Sequence, residues 1–222
     1  DSTRSLPAPI TTATPATPVA EGQGGTPSLK ETVHHLSVAD QPYWLDHAFY
    51  EQPAGWPVID DVFPLVPMTA IIEMLQHAAE DLVPGTVATK VEAIRAFKWL
   101  AVQPPTAVTV RATRDGEHTV KAAIDKHARA TVTVELQYPP PPAPQAGPVH
   151  GEISCPCTPE TLYQERHLFH GPAYQGLLTF DEFGTDGASG LLETKDYPGS
   201  LLDNAGQLFG FWLAQRVDRD RL

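Results

Sequence analysis

The chain is short of basic residues, short of cysteine and free of long apolar runs, and each shortage removes a class of function. Its 15 Lys and Arg are outnumbered by 27 Asp and Glu, giving a formal net charge of −12. Nucleic-acid binding relies on basic stripes that displace phosphate counterions, so a nucleic-acid role is disfavoured. The two cysteines, Cys155 and Cys157, stand one residue apart. That spacing suits neither a simple disulfide nor a zinc ribbon, and it makes no secreted disulfide framework. They read as reduced, inert thiols. No apolar stretch approaches the roughly 20 residues of a membrane span. No secretory leader is visible either, so the cytoplasm is the default compartment. The chain opens on Asp1 and not Met, which points to a piece of a longer protein. A G-x-S-x-G elbow and a P-loop are missing, so hydrolase and nucleotide readings lack support. His118, His127, His150 and His167 show no ligand spacing, and no metal is expected.

Proline, by contrast, is abundant: 23 residues, about twice the ordinary share. The prolines are clustered, so they mark linkers. Residues 1–28, rich in Pro, Ala, Thr and Gly without periodicity, read as one linker. Residues 139–148 (PPPPAPQAGP) read as a second, a stiff polyproline rod. Two folded stretches remain, 29–138 and 149–222. Charge is uneven along them. Residues 31–80 carry no Lys or Arg, whereas Lys90, Arg95, Lys98, Arg111, Arg114, Lys121, Lys126 and Arg129 crowd into 90–129. The plain reading is a solvated sheet face. An acidic partner docking there is the functional one.

Residues 68–82 (MTAIIEMLQHAAEDL) place Ile71, Ile72, Leu75, Ala78, Ala79 and Leu82 at helical spacing. Pro84-Gly85 ends this helix. Almost every position is apolar or small, so a sheet should wrap it. The stretch before it reads as strand-poor, with His34 and His35 solvated ahead of the core. Strands are expected over 87–100, 107–114, 119–125 and 130–136, with Asp115-Gly116 as a hairpin turn. One long helix followed by an antiparallel meander is the hot-dog architecture. The pattern then restarts. A strand is expected at 151–155, a helix over 158–166 with Thr158 as N-cap, strands over 177–183 and 188–194, and an apolar helix over 201–215. The second copy lacks the meander that should follow its helix. Either the chain is truncated after Leu222 or its second half is incomplete. The four tryptophans read most simply as core or tunnel residues, and His77 as a core or edge histidine.

Three segments carry candidate chemistry. They are Trp44-Leu45-Asp46-His47 with Pro67 ahead of the long helix, His170-Gly171-Pro172-Ala173-Tyr174-Gln175, and Asp203-Asn204-Ala205-Gly206-Gln207. Together they resemble the dehydratase domains of polyketide synthases, over roughly residues 30–215. The "GWP…FPLVPMT" wording leans toward the polyunsaturated-fatty-acid or iterative branch. The resemblance implies an α+β double hot-dog in which His47 is the catalytic base and Asp203 the acid. Gln207 would orient Asp203, and Gly171, Pro172 and Tyr174 would shape the substrate tunnel. His170 would hydrogen-bond Asp203 or the leaving hydroxyl. Glu51 stands where the family usually has a glycine whose N–H holds the thioester carbonyl, and Gly55 in the inserted loop would take over that role. The resemblance further implies a substrate on the phosphopantetheine arm of an acyl carrier protein, no bound cofactor or metal, neighbouring domains of a parent synthase, and a homodimer.

The residue types fit that chemistry. Removing water from a 3-hydroxyacyl thioester needs a base for the proton beside the carbonyl and an acid for the departing hydroxyl. A neutral His serves as the base. Asp203 serves as the acid if burial among Leu201, Leu202, Leu208 and Phe209 keeps it protonated. The plain reading of Asp203 is a helix-start carboxylate favoured by the dipole. The competing functions are a product-template-type cyclase on the same fold, a double-bond isomerase using the same pair, and a non-catalytic module that scaffolds the synthase or holds the carrier protein.

Overall fold

The structure, a computed structural model, describes residues 28–53, 55–143 and 147–216. The first linker therefore lies, apart from Ser28, outside the described residues. The described part of the second, residues 139–143 and 147–148, is exposed and carries no helix or strand.

Helix α1 spans Met68–Leu82, the bounds its periodicity predicts. Ala70, Ile71, Met74, Leu75, Ala79 and Leu82 are buried, and their spacing of three and four residues puts them on one face. Pro67 sits just ahead of the first turn, where it forfeits no helical hydrogen bond. Gly85, at φ +83, makes the turn that follows.

A five-stranded antiparallel sheet wraps this helix in the order β1-β3-β4-β5-β2. Its strands are β1 (Leu29–Leu36), β2 (Val87–Ala96), β3 (Thr106–Arg114), β4 (Thr119–Ile124) and β5 (Ala128–Glu135). Alternate residues point inward: Val108, Val110 and Ala112 on β3; Val120, Ala122 and Ile124 on β4; Ala128, Ala130, Val132 and Val134 on β5. All of them join one core with α1. The Asp115-Gly116 turn closes β3 onto β4, with Asp115 N–H donating to Thr119 O at 2.9 Å.

Two expectations for this half need correction. The stretch before α1 does contain a strand, and His34 and His35 belong to it. β1 pairs with β3 at the sheet edge, and its inward positions Lys30, Thr32, His34 and Leu36 are mostly polar. An edge strand covers its inner face only partly, so no apolar alternation marks it. β2, in turn, stops at Ala96, after bulges between Ala88 and Lys90 and between Glu92 and Arg95. Phe97 and Trp99 lie beyond it, exposed. Trp56 is exposed as well, so of the four tryptophans only Trp44 is fully buried.

The second half is smaller. Helix α2 covers Pro159–Gln164, and the Thr158 side chain accepts from Thr161 N–H at 3.2 Å as its N-cap. Helix α3 covers Ser200–Arg216. Between them the expected strands shrink to β6 (Glu182–Phe183), β7 (Ala188–Ser189) and a bridge between Leu177 and Leu192. Residues 151–155 are not a strand; Ile153 N–H donates once, to Phe183 O. One face of α3 packs Phe211 against Leu162, Leu177 and Phe183. The other leaves Leu201, Leu202, Phe209 and Leu213 exposed. No described strand wraps that face, so this hot-dog is partial.

The halves are joined at Gly199. Its N–H donates to Glu73 Oε2 of α1 at 2.7 Å, and its φ of +72 suits glycine. A Cβ there would collide with the backbone of Thr69 and Ala70.

Candidate active site

His47 ends a short 3-10 turn (Pro42–Asp46), and its carbonyl accepts from Leu65 N–H at 3.2 Å. Asp46 beside it reaches into the second half. Its carbonyl accepts from Gly171 N–H at 2.7 Å, and its Oδ2 accepts from Ala173 N–H at 2.8 Å. A Cβ on Gly171 would overlap the Asp46 carboxylate, so glycine is what lets the two loops touch. This contact carries residues 170–175 to His47. Sequence reading gave Asp46 no role; its place directly before the candidate base was the available signal.

Asp203 lies in the first turn of α3, with its N–H on the Gly199 carbonyl at 2.9 Å. His47, His170 and Asp203 thereby converge, with one side-chain N or O of each within 4.8 Å of the others. His47 is 7% exposed and His170 8%. His170 Nε2 stands 3.2 Å from Asp203 Oδ2. The Nδ1 atoms of both imidazoles are buried and have no hydrogen-bond partner among the described residues. Phe169, Phe49 and Tyr174 set their rings around His47, at 5.1, 5.9 and 5.7 Å between centroids.

Gln207 fills the expected orienting place. Its amide donates to Asp203 Oδ2 at 2.7 Å and to the Tyr174 carbonyl at 2.7 Å. Its carbonyl accepts from the Tyr163 hydroxyl at 2.8 Å, so the amide cannot turn away. Thr69 Oγ1 makes a long 3.5 Å contact to Asp203 Oδ1. Tyr174 is fully buried and its hydroxyl donates to Pro198 O. Gly171 and Pro172 start the short 3-10 turn that presents it. Gly55 sits on an exposed loop at φ +81 and borders a surface cavity with Asp46, Phe169 and Gly171. Cys155 and Cys157 are unlinked, the Cys155 thiol donating to Cys157 O.

The environment separates the candidate base from the candidate acid. Burial, reinforced by His170, lowers His47 to a pKa of about 4 despite the opposing pull of Asp203. Its lone pair is therefore free at neutral pH. Asp203 requires a correction. Burial alone would raise its pKa and keep it protonated, as expected above. The hydrogen bonds from His170 and Gln207 and the charge of His170 outweigh burial and hold it below the ordinary aspartate value.

Beside the cluster runs a groove of about 950 Å³ between α1, β1 and the start of α3. Thr69 lies on its wall, with Ile72, Met74, Leu202 and Ala205 among its apolar lining. Two imidazoles and a carboxylate are also a donor set for a metal ion. The three residues come from three separate segments, so spacing along the chain does not reveal the set.

No family model matches the chain, and no curated protein matches it. Solved structures do. The dehydratase domain from the CurK module of curacin polyketide synthase superposes with a TM-score of 0.62 at 14% identity, covering 89% of this chain and 75% of that one. The dehydratase domain from the CurF module gives 0.58 at 16%, covering 87% and 74%. That of the terminal module of the rifamycin polyketide synthase gives 0.59 at 16%, covering 84% and 72%. The chain has the double hot-dog fold of these dehydratase domains, with its second half partial.

Proposed function

We propose that the chain is a dehydratase domain of a polyketide- or fatty-acid-type synthase. It takes a 3-hydroxyacyl thioester from the phosphopantetheine arm of an acyl carrier protein and leaves the 2-enoyl thioester. The observation that carries this reading is the meeting of His47 and Asp203, from opposite halves, in one buried cluster. Neutral His47 takes the proton from C2. The freed electron pair becomes the C2=C3 double bond, the C3–O bond breaks, and the hydroxyl leaves as water with a proton from the acid. The proton for the leaving hydroxyl comes from the hydrogen bond that His170 Nε2 and Asp203 Oδ2 share at 3.2 Å. The proton on His47 returns to the pair and closes the cycle. The apolar side of the adjoining groove suits an acyl chain.

Carrier proteins are acidic, and this surface offers them a complement. Arg95 and Arg129 face each other across β2 and β5, exposed. Lys98 and Lys126 are exposed nearby in sequence, and none of the four makes an ion pair among the described residues. Like charges directly opposite on a sheet repel, so an acidic partner relieves them.

The reading is tested by giving the full chain a 3-hydroxyacyl thioester and following the enoyl product. We expect product from the starting protein and at least a hundredfold less from His47→Ala and Asp203→Asn, with unchanged circular dichroism. A folded starting protein that makes no enoyl thioester overturns it. The groove volume keeps one second reading in view, a cyclase acting on a longer poly-β-keto chain; cyclised product without enoyl product would select it.

A further inference from the structure

We propose that His47, His170 and Asp203 also form a binding site for a divalent transition-metal ion of the zinc class, and that the metal and the acyl substrate exclude one another. The second clause rests on the dehydratase reading; the first stands on geometry alone.

The donor set is two imidazole nitrogens and one carboxylate oxygen, all within 4.8 Å of one another. Zinc takes such ligands at about 2.0–2.2 Å in a tetrahedron, which puts neighbouring donors roughly 3.3 Å apart. His170 Nε2 and Asp203 Oδ2 are already 3.2 Å apart. Closing the set needs only His47 to move inward, by about 1.5 Å at most. The donors favour zinc, cobalt or iron over magnesium or calcium, which prefer all-oxygen cages.

The carboxylate already has an outer partner: Gln207 donates to it at 2.7 Å. Such a partner fixes ligand orientation before a metal arrives. His47 and His170 are more than nine-tenths buried, and each keeps an Nδ1 with no partner among the described residues. A buried polar atom without a partner costs free energy. The charge balance is favourable as well: a carboxylate and two neutral rings around a dication leave one positive charge, which a hydroxide or a thiolate neutralises in the fourth position. A metal there takes the lone pair of His47 and the carboxylate of Asp203, the two groups that elimination needs.

The test uses Co²⁺ alone as a coloured stand-in for zinc, titrated into the chelator-treated full chain. We expect visible d–d bands of a low-coordinate site that saturate at one equivalent. Asp203→Asn and His170→Gln, which keep shape and hydrogen bonding, should each weaken binding at least tenfold, with circular dichroism unchanged. Ala in place of His34 and His77, histidines lining the groove outside the cluster, should leave the bands as they were. Enoyl formation should fall in step with Co²⁺ occupancy and return on adding chelator. The site is overturned if no one-equivalent band forms, or if the band survives His170→Gln and Asp203→Asn. Mutual exclusion is overturned if turnover persists at full occupancy. A protein that binds Co²⁺ this way but never makes enoyl thioester keeps the metal site and loses the dehydratase reading.

Discussion

His47 owes its place as the base to its surroundings more than to its own chemistry. Its pKa of about 4 comes first from burial and then from His170. The acid limb of the kcat/KM profile should therefore fall near pH 4 and not near the ordinary histidine value of about 6.5. His170→Gln removes the neighbouring imidazole and should move that limb upward; a limb unchanged in this variant would show that His170 does not act on His47. The same shift sets a stability slope. A histidine that stays neutral in the fold while the unfolded chain binds its proton makes stability rise with pH between about 4 and 6.5. The full contribution is present above that window and lost below it, and is worth roughly 3 kcal/mol at most. His47→Gln should flatten the melting temperature across the window, measured by circular dichroism; an unchanged slope would refute the buried neutral form. Asp203 shows the limit of composition at this scale. Apolar neighbours predicted a raised pKa, but hydrogen bonds from His170, in another segment, and from Gln207, one turn along the same helix, reverse its direction.

Among the elements, α1 was legible because its buried face repeats at helical spacing and Pro and Gly mark its ends. The central strands were legible because they alternate. β1 was not, since Lys, Thr and His occupy its inward positions at the sheet edge. The strands of the second half were overdrawn. Their hairpin survives through bonds such as Leu178 N–H to Leu191 O, but the ladder is too irregular for long strands. The decisive joint is between elements, at Gly199. It lets the start of α3 touch the start of α1, and Asp203 follows within the next turn. Gly199→Ala adds backbone strain and a collision, so we expect about 2 kcal/mol or more of destabilisation in urea. Lost turnover should accompany it even where the variant stays folded. A variant with full stability and turnover would mean that this contact does not set the distance between α3 and His47.

For the whole molecule, partner choice follows from the charge map. Lys90, Arg111 and Lys121 pair with Glu92, Glu31 and Asp115, so the basic stretch is partly the solvated sheet face that its plain reading described. The opposed Arg95 and Arg129, with Lys98 and Lys126, are left for an acidic carrier. Arg95→Glu with Arg129→Glu should raise KM severalfold for a carrier-bound substrate, more so at low salt, and leave KM for a free pantetheine thioester alone. Equal effects on both substrates would place the carrier elsewhere. Among the described residues no helix is long and apolar enough to cross a membrane, in keeping with the hydropathy of the chain. The sequence by itself determined α1, the central strands of the first hot-dog and the three candidate segments, because periodicity, turn residues and short motifs are local and survive without coordinates. Only the tertiary structure decided that Asp46 ties the two halves together, that two imidazoles converge on one carboxylate, and that this carboxylate is held ionised. Those are properties of distance and dielectric between residues of separate segments, and no local pattern encodes them.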